Sequence, residues 1–239
     1  MTEDLKKLIL RAADVLQKYG AEDVFFFGSV AKSEGTDDTA IDLAVSGLSS
    51  DVFYQAMGGV LSVTRKRCHL VDLDEENQYV FNLKSNGKDQ LKIGDKISHE
   101  LQQLHELLEK YSSIIEKSAI TKPGNLELIA LGGILQLLYS GFDRIFKMII
   151  AEFDSGFKKG VTHEADVLER MVMPTPKRTP VINKLLMEQL LPYMSFRHSF
   201  CNSYSYNLNW EKMEHLVAEA EEILLLLEVE LHNFIEANC

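Results

Sequence analysis

Gly28, Ser29, Asp42, Arg197 and Tyr204 are the residues of this chain whose types and spacing point to chemistry. The stretch Gly28-Ser29-Val30-Ala31-Lys32 comes after an apolar run, Val24-Phe25-Phe26-Phe27. A Gly-Ser turn after a strand presents backbone N–H groups to an anion, and a nucleotide phosphate suits them. Most Gly-Ser dipeptides are plain turns, so the residues beyond Ser29 decide between a turn and a phosphate cradle. Ten residues separate Ser29 from Ala40, which opens Ala40-Ile41-Asp42-Leu43-Ala44-Val45. Two carboxylates at i and i+2 on a strand point to one face and can share metal ions. Here the pair is incomplete: Asp42 holds one position and Ala40 the other. A second set lies far along the chain in Phe196-Arg197-His198-Ser199-Phe200-Cys201-Asn202-Ser203-Tyr204. Its Arg suits a phosphate, and its Asn and Tyr can hydrogen-bond.

The elements that must position these residues fall into two groups. Leu5, Leu8, Ile9, Ala12 and Leu16 recur at helical spacing behind an acidic first turn, with Gly20 as the stop. Strands are expected at Asp23–Phe27 and Ala40–Ser46, a helix over Ser50–Thr64, and a strand at Cys68–Leu73. A further helix is expected from Glu75 and a short strand at Gln90–Ile93. Beyond Asp95 strand signals fade. A long helical pattern begins with Leu101, Leu104, Leu108 and Tyr111 and runs to a break at Thr121; others run from Leu126 to Phe153, Thr162 to Val172, Val181 to Tyr204 with Pro192 as a kink, and Asn209 to Asn238. Thr121-Lys122-Pro123-Gly124-Asn125 and the prolines at 174, 176 and 180 mark loops. The expected fold is α+β: an α/β domain with a small mixed sheet over residues 1–95, then an all-α bundle of about five helices over 96–239.

The chain has 239 residues, 46% hydrophobic and 26% charged, enough for real cores and of ordinary globular balance. Its net charge of -11 is shared by both parts, residues 1–95 carrying 11 Lys/Arg against 16 Asp/Glu. Such a chain has no general attraction to nucleic acid, although a local basic site is compatible with it. Cys68, Cys201 and Cys239 have neither paired nor metal-like spacing and read as reduced thiols, so a cytoplasmic location is expected. No signal segment or membrane span is expected.

With these residues in view, the first part resembles the minimal nucleotidyltransferase (MNT) domains: Gly-Ser, a ten-residue spacer, then a strand whose signature is Asp-x-Asp. The resemblance implies two Mg²⁺ ions that polarise the α-phosphate of ATP, activate a hydroxyl and steady the pyrophosphate. It implies nucleotide binding at Gly28 and Ser29 and a catalytic metal ligand at Asp42. Ala40 stands where the first acid belongs. The strand Cys68-His69-Leu70-Val71-Asp72-Leu73 is similar to one that supplies the third acid, and on that register His69 takes its place. Asp72 then faces the other way, although a shift of one register lets it serve as a metal ligand beside Asp42. Asp37 and Asp38 are further acids of the spacer, read first as a solvated loop. His69 can ligate a metal as neutral imidazole, and is otherwise a partly buried strand residue.

The second part resembles HEPN domains, and among them the HepT-like ribonuclease toxins, whose motif is Arg, four residues, His, one residue, Tyr. Arg197 and Tyr204 fall on it and Asn202 occupies the His position. Tyr139 with Gly141-Phe142-Asp143-Arg144, and Thr162-His163-Glu164, add to the match, though His163 and Tyr139 read first as packing residues. In such toxins two motifs meet across a homodimer, the Arg holding RNA phosphate and the His moving a proton. Asn cannot move that proton, and His198 points about 100° around the helix from Arg197. The plain alternatives are a surface ion pair for Arg197 and a core or interface aromatic for Tyr204.

Two readings are open. In the first the chain is a fused MNT–HEPN protein of toxin–antitoxin ancestry, a regulatory or binding pseudoenzyme with three degenerate positions: Ala40, His69 and Asn202. In the second it is an active nucleotidyltransferase that moves AMP from ATP to a protein tyrosine, or a weakened ribonuclease. Tyr204 is then a candidate acceptor for AMP from a cognate nucleotidyltransferase. The expected partners are a second copy of the chain, a cognate nucleotidyltransferase or HEPN protein, and RNA, but no membrane. Leu216, Ile223, Leu224, Leu227 and Leu231 offer the last helix an apolar stripe that serves either a dimer or the bundle core.

Overall fold

The computed structural model describes residues 3–27, 41–74, 92–154, 164–202 and 208–238. Gly28, Ser29, Asp37, Asp38, Ala40, His163 and Tyr204, with the helix expected from Glu75, lie outside them. The architecture is α+β, in two compact units, Met1–Asp89 and Gln90–Cys239.

The first unit begins with α1 (Glu3–Lys18), whose Leu5, Ile9, Ala12 and Leu16 form one buried stripe. Gly20 ends it at φ 102°, a left-handed turn that only glycine adopts without strain. There Gly20 N–H donates to the Gln17 carbonyl and Ala21 N–H to that of Leu16, which satisfies two end carbonyls. Strands β1 (Asp23–Phe27), β2 (Ile41–Ser46) and β3 (Cys68–Asp72) form one sheet in that order. β1 runs antiparallel to β2, and β3 parallel to it across the crossover helix α2 (Phe53–Thr64).

The alternation of a strand decides which residues see the core. Ile41, Leu43 and Val45 are fully buried and join α1, α2 and Leu70 in one apolar cluster. The opposite sheet face is thinner, with a small cluster of Ala44, Val71, Leu73 and Phe27. Phe25, which pairs with Ala44, is half exposed there.

The second unit holds seven helices among the described residues: α3 (Ile93–Lys110), α4 (Ser112–Ile120), α5 (Asn125–Phe153), α6 (Glu164–Val172), α7 (Lys184–Asn202), α8 (Trp210–Ala218) and α9 (Ala220–Asn238). The strand expected at Gln90–Ile93 is absent at its end, because Ile93 already opens α3, where the Asp95 carboxylate accepts the Lys92 N–H at 3.2 Å. The 95/96 boundary falls inside that helix. Two patterns read as continuous are split. Tyr111 separates α3 from α4, and Glu219, at ψ 0°, separates α8 from α9.

α5 is the central helix and packs against α3, α6, α7 and α8. It is long and apolar enough to cross a membrane, but half of its apolar window is buried inside the bundle, as a core helix requires. Two glycines let neighbours approach it. A Cβ on Gly141 would lie 2.5 Å from Leu104 of α3, and one on Gly132 would lie 2.7 Å from Phe200 of α7. The stripe of Leu216, Ile223, Leu224, Leu227 and Leu231 is buried in this same core, so it is not available to a second copy. What α9 exposes instead is Leu225, Leu226 and Val229.

Candidate functional site

In the first unit the sheet register sets the geometry. Asp42 lies between Phe27 on one side and His69 on the other, so all three side chains project from the same face. The Phe27 and His69 rings meet edge to face, with centroids 6.3 Å apart. Partial burial holds the Asp42 carboxyl above its usual range, an effect that the neighbouring His69 charge offsets only in part. His69 itself is exposed. This face therefore presents one carboxylate and one imidazole side by side.

Asp72 pairs with Val45, three residues along β2 from Asp42, and so leaves the sheet from the opposite face. A common metal site of Asp42 and Asp72 is thus corrected: the alternation of the strands separates them. Asp72 has a local task, its carboxylate accepting the Asp74 N–H at 2.9 Å in the turn after β3. Among the described residues no group of three or more His, Cys, Asp or Glu could hold a metal ion.

In the second unit α7 brings Arg197 against α5. Arg197 Nε donates to Ser140 Oγ at 2.9 Å, which fixes the plane of the guanidinium. Gln136 Nε2 donates to the same hydroxyl at 3.2 Å. The adjacent Tyr139 is buried, and its phenol is held well above its ordinary value, first by burial and then by the Asp143 charge, while Arg197 acts in the opposite sense. Asp143 receives Lys147 Nζ at 2.5 Å on Oδ2, and its buried Oδ1 has no hydrogen-bond partner among the described residues. The spacing on α5 sets Ser140 and Tyr139 beside Arg197, with Asp143 one turn on from Tyr139. Sequence reading placed Tyr139 and Asp143 in the match but missed Ser140 and Lys147. A hydroxyl and an ammonium at helical spacing from an acid were the available signal.

Asn202 is the last residue of α7 and is exposed. Its Nδ2 donates to the His198 carbonyl at 2.8 Å, one turn back. The amide thus serves the helix end, where a terminal carbonyl needs a donor. His198 is exposed while Arg197 is half buried, consistent with different sides of α7. The structure brings Arg197 together with α5, but among the described residues no imidazole stands at the motif's proton-transfer position.

The family model described as HepT-like protein matches residues 130–238, from within α5 to the end of α9. No curated protein and no solved structure matches the chain. The helical unit carries a HEPN/HepT-like domain over residues 130–238.

Proposed function

We propose that the chain is a fused MNT–HEPN protein, consistent with toxin–antitoxin ancestry, that acts as a regulatory or binding pseudoenzyme. Residues 1–95 are on this reading a nucleotidyltransferase-like domain that keeps a nucleotide cradle at Gly28 and Ser29 without two-metal chemistry. Residues 96–239 are the HepT-like part, in which Arg197 engages phosphate and Asn202 moves no proton. The chain would work in the cytoplasm, paired with a second copy or a cognate nucleotidyltransferase or HEPN protein.

The observation that carries the reading is the in-register pairing of Asp42 with His69. A third acid of a two-metal site has to share the face of Asp42, and the residue at that place is an imidazole. With Ala40 also lacking a carboxylate, one acid is left where the chemistry uses three. Such a site does not fit a Mg²⁺ pair, which takes oxygen donors almost exclusively.

Radiolabelled ATP with Mg²⁺ or Mn²⁺ tests this directly. Wild type is expected to transfer no AMP to itself or to a partner, and Ala40→Asp combined with His69→Asp is expected to create transfer. Wild-type transfer above background would overturn the pseudoenzyme reading in favour of a working nucleotidyltransferase.

A further inference from the structure

Helical spacing carries Arg197 onto the core-facing side of α7. Leu186, Leu190 and Tyr193 are buried residues of that helix, and Arg197 follows Tyr193 one turn on along the same stripe. A cation in such a place needs polar partners, because a bundle core solvates charge poorly. α5 supplies them from between its apolar residues. Arg197 Nε donates to Ser140 Oγ at 2.9 Å, and Gln136 Nε2 donates to the same oxygen at 3.2 Å. Ser140 is buried, whereas Gln136 and Arg197 are half-buried.

The Ser140 oxygen has two lone pairs, and these two donors use both. A serine within a helix commonly turns its hydroxyl back to the carbonyl one turn earlier. Here the Gln136 side chain, one turn earlier on α5, meets that hydroxyl and holds its oxygen in the place where Arg197 of α7 reaches it. The contacts form a chain in which Gln136 sets Ser140 and Ser140 sets Arg197.

We propose that Gln136 and Ser140 are positioning residues that hold the Arg197 guanidinium in one pose, aimed to grip a single backbone phosphate of RNA end-on, through Nη1 and Nη2. This deepens, and rests on, the reading that Arg197 engages phosphate. A guanidinium can meet a phosphate bidentately along two kinds of edge, Nε with one Nη or the two Nη together. Ser140 takes Nε, so bidentate recognition passes to the second. Holding the side chain beforehand also favours binding, since immobilising one long side chain at the moment of association lowers affinity about two- to tenfold.

The full chain gives two independent readouts. The first needs no ligand: the NMR signal of the Arg197 Nε–H, identified by its loss in Arg197→Lys, and its rate of exchange with water. Ser140→Ala is expected to speed that exchange by about tenfold or more, the weight of a hydrogen bond to a charged group. Gln136→Met should act in the same direction to a smaller extent, and Ser140→Thr, which keeps the hydroxyl, should restore the slow rate. The second readout is binding of a labelled single-stranded RNA oligonucleotide across a salt series. Arg197→Ala is expected to weaken binding and to reduce the steepness of its salt dependence by about 0.7 in log–log slope, one phosphate contact on a single strand. Ser140→Ala should weaken binding about two- to tenfold with the slope kept, because the charge stays and only its pose is lost. Unchanged Nε–H exchange in Ser140→Ala would overturn the proposal whatever the RNA does. So would full wild-type RNA affinity in Ser140→Ala where Arg197→Ala has lost it. If exchange quickens in Ser140→Ala while neither that variant nor Arg197→Ala alters RNA binding, the positioning stands and the phosphate reading of Arg197 falls, with the end-on grip.

Discussion

Replacement of Arg178 by Met is expected to cost about 3–5 kcal/mol of folding stability, a large part of what a domain of this size has. Arg178 has a fully buried side chain, and its guanidinium is satisfied at every edge. Nε and Nη2 donate to the two oxygens of Asp154 at 2.9 Å each. Nη1 donates to the Met173 and Thr179 carbonyls, and Nη2 also to that of Arg170. One side chain thus ties the end of α5 to the end of α6 and to the proline-marked loop. Loss of it leaves the Asp154 charge buried with only Arg170, which is a third exposed and bonds it at 2.8 Å.

Urea unfolding of Arg178→Met, Asp154→Leu and the double variant checks the cause. Single variants strand a buried charge; the double variant does not. The double variant should therefore be more stable than the sum of the singles predicts, with the residual cost reporting the three carbonyls. Plain additivity would mean that the pair is not coupled. Arg170→Met should cost much less, about 1 kcal/mol, because water already screens that pair.

The same cluster sets an acid limit. Burial raises the Asp154 carboxyl, but the hydrogen bonds and charges of Arg178 and Arg170 outweigh it and hold the carboxyl below its ordinary value. A depressed folded value means that the contribution is complete above the unfolded value, about 3.9, and is lost as the pH falls through the folded one. Unfolding free energy followed from pH 6 downward should fall below about pH 4. Asp154→Asn should flatten that limb; an unchanged acid limb would place the sensitivity in other carboxylates.

None of this was visible in the chain order. Arg178 lies in a segment marked by Pro174, Pro176 and Pro180, where a charge normally meets water, and its partner is 24 residues away. By contrast the three strands were legible as elements, because period-two alternation leaves only one way to bury Ile41, Leu43 and Val45, while the register of β3 against β2 stayed open until the pairing was seen. That pairing puts His69 beside Asp42 and sends Asp72 away. Long helices were legible from their 3.6-residue period, but their breaks were not. Tyr111 and Glu219 interrupt the chain without Gly or Pro, so the apolar pattern continues across them. The stripe from Leu216 to Leu231 stayed open between core and dimer for a related reason: helical periodicity reports that a face is buried and is silent on whether a neighbouring helix or a second copy buries it.

The second large effect is expected at Asn202. Asn202→His should raise RNA cleavage, for which none is expected of wild type, by a factor of about 10²–10⁴ for a restored acid–base group. The local geometry favours a productive tautomer. Asn202 Nδ2 donates to the carbonyl one turn back, at His198. On α9, His232 makes the equivalent contact through Nδ1 to the Glu228 carbonyl at 3.1 Å. A histidine at 202 that copies this bond carries its proton on Nδ1 and presents Nε2 as the base. Arg197, oriented by Ser140, would hold the phosphate as the base works on it. Addition of Arg197→Ala to the Asn202→His chain should therefore return cleavage to background. A labelled RNA oligonucleotide, with far-UV circular dichroism of each variant as the folding control, gives the readout. If Asn202→His stays inert with its helices intact, the missing imidazole is not what silences this domain, and the loss lies elsewhere in the Arg197 site.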